Sequence, residues 1–169
     1  MSIPTKLTTF MDDHHIHYTA LYHAQTSTAL SSAVKVDCGQ KQMAKVLILE
    51  IDGKNTMCVL PSNEKLHMGI LKEELGARKV KMFSENDLEE KFDDCEIGAM
   101  PAFGNLYNMN TYVSTHFQKD QAIYFNAGTH SDTVRMPYSE FIDNTEATVA
   151  NFSVLANEYE DYKGRYYWY

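Results

Sequence analysis

The sequence predicts a single α/β (α+β) domain in which short helices surround a central antiparallel strand pair. Three observations predict it. The chain has 169 residues, 44% of them hydrophobic, which is enough for one buried core. Val46 to Ile51 is an unbroken apolar-rich run, followed by Asp52-Gly53 and a second run, Met57 to Leu60, which Pro61 stops. That is the pattern of a buried hairpin. Around it, stretches with helical spacing alternate with short runs rich in β-branched and aromatic residues.

Taken in order, a first helix starts near Ile3-Pro4, because Pro suits a first turn and Leu7, Phe10 and Met11 share a face. Asp12 to His15 ends it, and Ile16 to His23 reads as a strand. Thr26-Ser27 is placed to cap a short helix with Leu30, Ala33 and Val34 inward. Gly39 to Gln42 connects to the central pair. Leu66, Ile70, Leu71 and Leu75 mark a helix with Gly76 as its C-cap. Lys79 to Met82 is a short strand, and Ser84 to Asp87 opens a helix in capping-box fashion. Thr111 to Val113, Ile123 to Phe125 and Thr133 to Met136 read as strands, and Tyr138 to Asp143 as a helix. Six of the last eleven residues, from Tyr159 to Tyr169, are Tyr or Trp. They form an extension, 146–169, expected to pack on the domain, 1–145, or to serve an interface.

Composition excludes several functions. The formal charge of −8 repels phosphate backbones at long range and argues against a general nucleic-acid binder. No apolar run spans a bilayer, and the first residues lack the pattern of a secretory signal, so no membrane role and a cytoplasmic location are expected. Cys38, Cys58 and Cys95 are odd in number and widely spaced, as reduced buried thiols are. His14, His15 and His17 suggest a metal cluster, but they straddle a helix end and a strand start, so a solvated turn is the better reading. No metal and no cofactor is expected.

Three places carry candidate chemistry. Gly98-Ala99-Met100-Pro101-Ala102-Phe103-Gly104 fits neither helix nor strand period and reads as a shaped loop. It is either a rigid connection plugged by Phe103, or a loop whose amides point together toward a ligand. Asn126-Ala127-Gly128-Thr129-His130-Ser131-Asp132 is a second glycine turn, offering amides, a hydroxyl and an imidazole. Lys45 stands at the entrance of the buried strand. It either snorkels at the sheet end or directs its ammonium at an anion in a cleft.

Ala44-Lys45 before the apolar strand, the run from Gly98 through Gly104 to Asn105-Leu106-Tyr107, and Phe125 to His130 together resemble the YbaK / prolyl-tRNA synthetase-associated domain family. The resemblance covers roughly Leu7 to Ile142. It implies a mixed, mostly antiparallel, barrel-like sheet flanked by helices. It also implies hydrolysis, in trans, of the ester joining a wrong amino acid to tRNA. Lys45 then corresponds to the residue most tied to activity. The amino-acid pocket would be lined by Gly98, Ala99, Met100, Pro101, Phe103, Gly104, Ala127, Gly128 and Thr129, with His23 beside them. Loop amides would hold the developing oxyanion, each donor contributing about 2.7–4 kcal/mol. A protonated lysine accepts no proton, so the base is either the substrate's 2′-OH region or His130, with His23 second. Two departures from the family pattern, Ala102 in place of a second proline and Val113-Ser114 in place of an acidic residue, bear on pocket shape. Small amino acids (Ala, Ser, Thr or Cys) are the expected substrates. The partners would be the acceptor end of aminoacyl-tRNA, briefly held, and a synthetase or elongation factor that presents it. The protein itself would be a monomer or homodimer. A non-catalytic module of the same fold, binding an amino acid or a partner, is the alternative.

Overall fold

The computed structural model describes residues 1–159. Helix α1 (Thr5–Asp13) begins after Pro4 and buries Leu7 and Met11. Strand β1 (Thr19–Tyr22) is shorter than its sequence suggests. Its first expected residues are held otherwise: the His17 amide donates to Glu140. The cap of α2 (Ala29–Lys35) is Thr28, whose hydroxyl accepts from the Ser31 amide, and not Thr26-Ser27. The two-residue shift turns Val34 and Leu30 outward, and only Ala33 of the expected inward set is buried.

The central pair is as expected. β2 (Ala44–Ile51) and β3 (Lys54–Pro61) are antiparallel in a register that places Ile51 opposite Lys54. Asp52 and Gly53 both adopt positive φ, 48° and 81°, the requirement of a tight two-residue turn. The Asp52 carboxylate accepts from the Arg78 and Lys79 amides, which steadies the turn. Leu66 belongs to a short strand, β4 (Glu64–Leu66), and not to the helix that follows, α3 (Met68–Leu75). That helix is capped by the His67 ring, which accepts from the Ile70 amide, and it ends at Gly76 with φ 61°.

β5 (Val80–Met82) and α4 (Glu85–Lys91) follow, and then the first glycine loop. β6 (Asn110–Ser114), β7 (Ala122–Asn126), β8 (Asp132–Pro137) and α5 (Tyr138–Asn144) come next, then β9 (Thr148–Ala150) and β10 (Ser153–Leu155). Three-residue strands show no period: β4, β9 and β10 are silent in the sequence, and β5 is marked only by the Gly76 and Ser84 caps on either side of it.

The strands form three sheets, ordered β5-β2-β3-β6-β9, β1-β8-β7 and β10-β4. The β3–β6 and β6–β9 pairings are parallel and the other strand pairings antiparallel. A bridge between Met43 and Tyr124 links the two larger sheets. The architecture is therefore mixed α+β, with no closed barrel among the described residues. Tyr162 to Tyr169 of the aromatic extension lie outside the described residues.

Two apolar clusters fill the interior. One gathers α1, the first glycine loop, β7, β8 and α5, with Ala44 and Ile48 of β2. The other holds Leu49 and Ile51 of the same strand, with Leu71 and Phe152. Side chains alternate along a strand, so β2 presents its even residues to one cluster and its odd residues to the other.

Candidate active site

The two glycine turns meet. The Gly128 amide donates to the Ala99 carbonyl, and the Glu96 amide to the Gly128 carbonyl, each at 2.7 Å. The His130 amide donates to the Glu96 carboxylate at 2.8 Å. Its Nε2 donates to the Ile97 carbonyl at 2.9 Å. Gly98 and Gly128 have φ of 88° and 89°, a region that side chains disfavour. The His130 ring covers Gly98: a Cβ there would stand 3.5 Å from ring carbon Cε1. A Cβ on Gly128 would reach to 2.5 Å from Cδ of Pro4, so the N-terminal segment is seated directly on this turn.

Several of the groups expected to act at these turns have partners within the protein. The Ala99 amide donates to the Glu96 carbonyl at 3.0 Å, and the Gly98 amide contacts Sδ of Met100 at 3.3 Å. The Thr129 hydroxyl donates to Asp132 at 2.6 Å. Met100, Pro101, Phe103, Gly104, Ala127 and Thr129 are buried. Phe103 packs edge-on against Phe10, Phe125 and Phe141, with ring centroids 5.5–5.7 Å apart. His130 Nδ1 is enclosed without a hydrogen bond. His23 Nδ1 donates to the Ala24 carbonyl, and its Nε2 pairs with the Thr133 hydroxyl at 2.9 Å. In this arrangement the two turns and both histidines form a closed clasp.

Lys45 is not part of that clasp. It shares the odd face of β2 with Leu47, Leu49 and Ile51. With Leu47, Lys65, Leu66, Met68 and Tyr159 it lines an open recess of about 340 Å³. Its ammonium donates to the Glu64 main-chain carbonyl. Partial burial holds its pKa below the ordinary lysine range; Lys65 nearby adds to the shift and Glu64 opposes it. The structure thus brings Gly98, Ala99, Gly128 and His130 together and sets Lys45 on the other face of the sheet.

The sequence reading passed over Glu64, whose main-chain carbonyl holds Lys45, and its partner His116. The Glu64 carboxylate, 4% exposed, accepts from His116 Nδ1 at 2.6 Å and from the Ser153 hydroxyl at 2.7 Å. They border a second recess of about 410 Å³. Burial pushes the Cys58 and Cys95 thiols up to about 12, and Cys38 to about 11, so none supplies a thiolate at neutral pH. Among the described residues no group of three or more His, Cys, Asp or Glu is placed to hold a metal ion.

Residues 23–143 match the family model described as the aminoacyl-tRNA editing domain. The chain belongs to this family. The matched segment contains Lys45, both glycine turns, Glu64 and His116; α1, β1, β9 and β10 lie outside it. Solved structures share the fold. A hypothetical protein designated APE2540 is 20% identical, with TM-score 0.78 over 88% of this chain and 99% of that one. A proposed trans-editing enzyme for prolyl tRNA synthetase is 19% identical, with TM-score 0.76 over 90% and 99%. A proposed signal transduction protein from Marinobacter aquaeolei VT8 is 18% identical, with TM-score 0.69. The likeness spans 90% of this chain but only 31% of that protein, so there the fold is one part of a larger chain. No curated protein matches the chain by sequence.

Proposed function

We propose that this editing domain hydrolyses, in trans, the ester of a tRNA carrying a wrong small amino acid such as Ala, Ser, Thr or Cys. The reaction is assigned to the Lys45 side of the central sheet. One observation carries the assignment. A half-buried ammonium with a depressed pKa stands beside a second ammonium, Lys65, at the mouth of an open recess. Two like charges close together, one of them poor in water, are relieved by an anion. The tRNA acceptor end offers phosphates, and the ester offers a developing oxyanion. This cationic mouth sits on a chain of net charge −8, so contact with the rest of the tRNA is weak and brief. Delivery by a synthetase or an elongation factor belongs to the same proposal.

An aminoacyl ester is already activated, so the protein has little to supply. It needs a cation for the oxyanion or the terminal ribose, and a held water. Lys45 takes the first role. The glycine clasp fixes the ends of β1, β7 and β8 in this assignment, and its paired amides stay with their partners.

The test is a deacylation assay on tRNAs charged with each of the four amino acids. Wild-type protein is expected to release at least one of them faster than buffer does. Lys45→Ala is expected to lose that activity while keeping its thermal melt. Turnover by Lys45→Ala at the wild-type rate would remove Lys45 from the site.

A further inference from the structure

We propose that His116, oriented by buried Glu64, is the general base of this hydrolysis, and that the recess both residues line receives the acyl end of the substrate. The inference rests on the editing activity proposed above.

The geometry is a closed ring of hydrogen bonds. The His116 amide donates to Ser114 Oγ at 3.1 Å. The Ser114 and Ser153 hydroxyls are 3.2 Å apart. Ser153 Oγ donates to Glu64 Oε1 at 2.7 Å, and His116 Nδ1 meets the same oxygen at 2.6 Å. Counting protons fixes the directions of the two hydroxyl bonds. A hydroxyl has one hydrogen. Ser153 uses its hydrogen on Glu64, so Ser114 must donate to Ser153. With the carboxylate as acceptor, the matching tautomer of the neutral imidazole donates from Nδ1 to Glu64 and carries its lone pair on Nε2. Among the described residues Nε2 has no hydrogen-bond partner, and the side chain is 38% exposed at the recess.

A buried carboxylate behind one imidazole nitrogen, with the other nitrogen open, is the arrangement that makes a histidine a proton acceptor. The Lys45 ammonium is held by the main-chain carbonyl of the same Glu64 and lines the other recess, with Lys65 and Leu66. Lys41 and Glu158 are the other charged groups lining the His116 recess.

The step balances as a hydrolysis. A water oxygen bonds to the ester carbonyl carbon while its proton passes to Nε2, and the carbonyl oxygen becomes the oxyanion. Glu64 stabilises the imidazolium. On collapse the bond from carbon to the ribose oxygen breaks, and the Nε2 proton passes to that oxygen. The products are a free amino acid and uncharged tRNA.

His116→Gln retains a donor for Glu64 and removes the base. It is expected to lower the deacylation rate about 10²–10⁴-fold with an unchanged melt. His116→Ala is expected to regain part of its rate when imidazole is added, which a purely structural role would not produce. Where the alanine variant does not fold, the glutamine variant decides. Wild-type-like turnover by His116→Gln, with the unaltered protein active, would overturn the role of His116 alone. Failure of the unaltered protein on every charged tRNA would overturn the editing activity and, with it, the role of this pair.

Discussion

Ala44 and Lys45 are neighbours in the chain and face opposite sides of β2. Ala44 packs in the cluster that contains Phe103 and Ala127. Lys45 lines a recess with Leu47 and Leu66. Period-two alternation already places Lys45 on the side of Leu47 and Leu49. It does not say which core lies on that side, because a strand buried on both faces gives both the same apolar signal. Glu64 and His116 were illegible for another reason. They are 52 residues apart, and three-residue strands with no period, β4 and β10, hold Glu64 and Ser153 in one network. At the surface, His17 Nδ1 pairs with Glu140 at 2.7 Å. The hydrogen bond and charge of Glu140 raise the His17 pKa above its ordinary 6.5, and the same bond lowers Glu140 below its ordinary 4.5. A raised histidine stabilises fully below 6.5 and loses that contribution as pH rises through its folded value. A depressed carboxylate stabilises fully above 4.5 and loses it as pH falls through its folded value. Both contributions are therefore complete between 4.5 and 6.5. An NMR titration is expected to place His17 above 6.5, falling back toward that value in Glu140→Gln; a midpoint that the variant leaves unmoved would show the pair is not formed in solution.

Among the elements, the hairpin was the most legible, since Asp52-Gly53 between two apolar runs has few alternatives. The α2 cap was misplaced because Thr26, Ser27 and Thr28 are chemically equivalent as caps, and only the bond to the Ser31 amide separates them. The glycine turns were recognisable as shaped loops and Phe103 as a plug; the contact between the two turns and the seating of Pro4 on Gly128 were not. Loops of this composition usually sit at the surface, whereas the first carries Phe103 into the aromatic cluster and the second is covered at Gly128 by Pro4. Stability of the clasp is an element-level property. Gly128→Ala adds a Cβ against Pro4 at a residue of φ 89°. It is expected to cost about 1–3 kcal/mol. At this chain length that lowers Tm by about 2–4 °C per kcal/mol. An unchanged Tm would mean that Pro4 is not seated on the turn.

Over the whole molecule, the five-stranded sheet separates two cores, to which the proposed reading gives different duties. The aromatic side holds α1, α5 and the glycine clasp, and most polar groups of the clasp find partners inside the protein, His130 Nδ1 excepted. The other side holds β4 and β10, the buried Glu64 carboxylate and two ammonium groups at an open edge. The fold class and family were legible because the hairpin, the two glycine turns and Lys45 occur in one order along the chain. The side of the sheet that carries open chemistry was not, because it depends on pairings between distant short strands. The net charge of −8 adds a constraint at this scale: on the proposed reading, tRNA binding is confined to the small cationic mouth and is expected to weaken as salt screens it. The most direct test is an NMR titration of isotope-labelled protein with an aminoacyl-adenosine whose ester is replaced by an amide that resists hydrolysis. Shifts are expected at Lys45, Glu64 to Leu66, His116 and Ser153. Shifts confined to Gly98–Gly104 and Ala127–His130, with β4 and β10 silent, would place the substrate on the clasp and contradict the assignment.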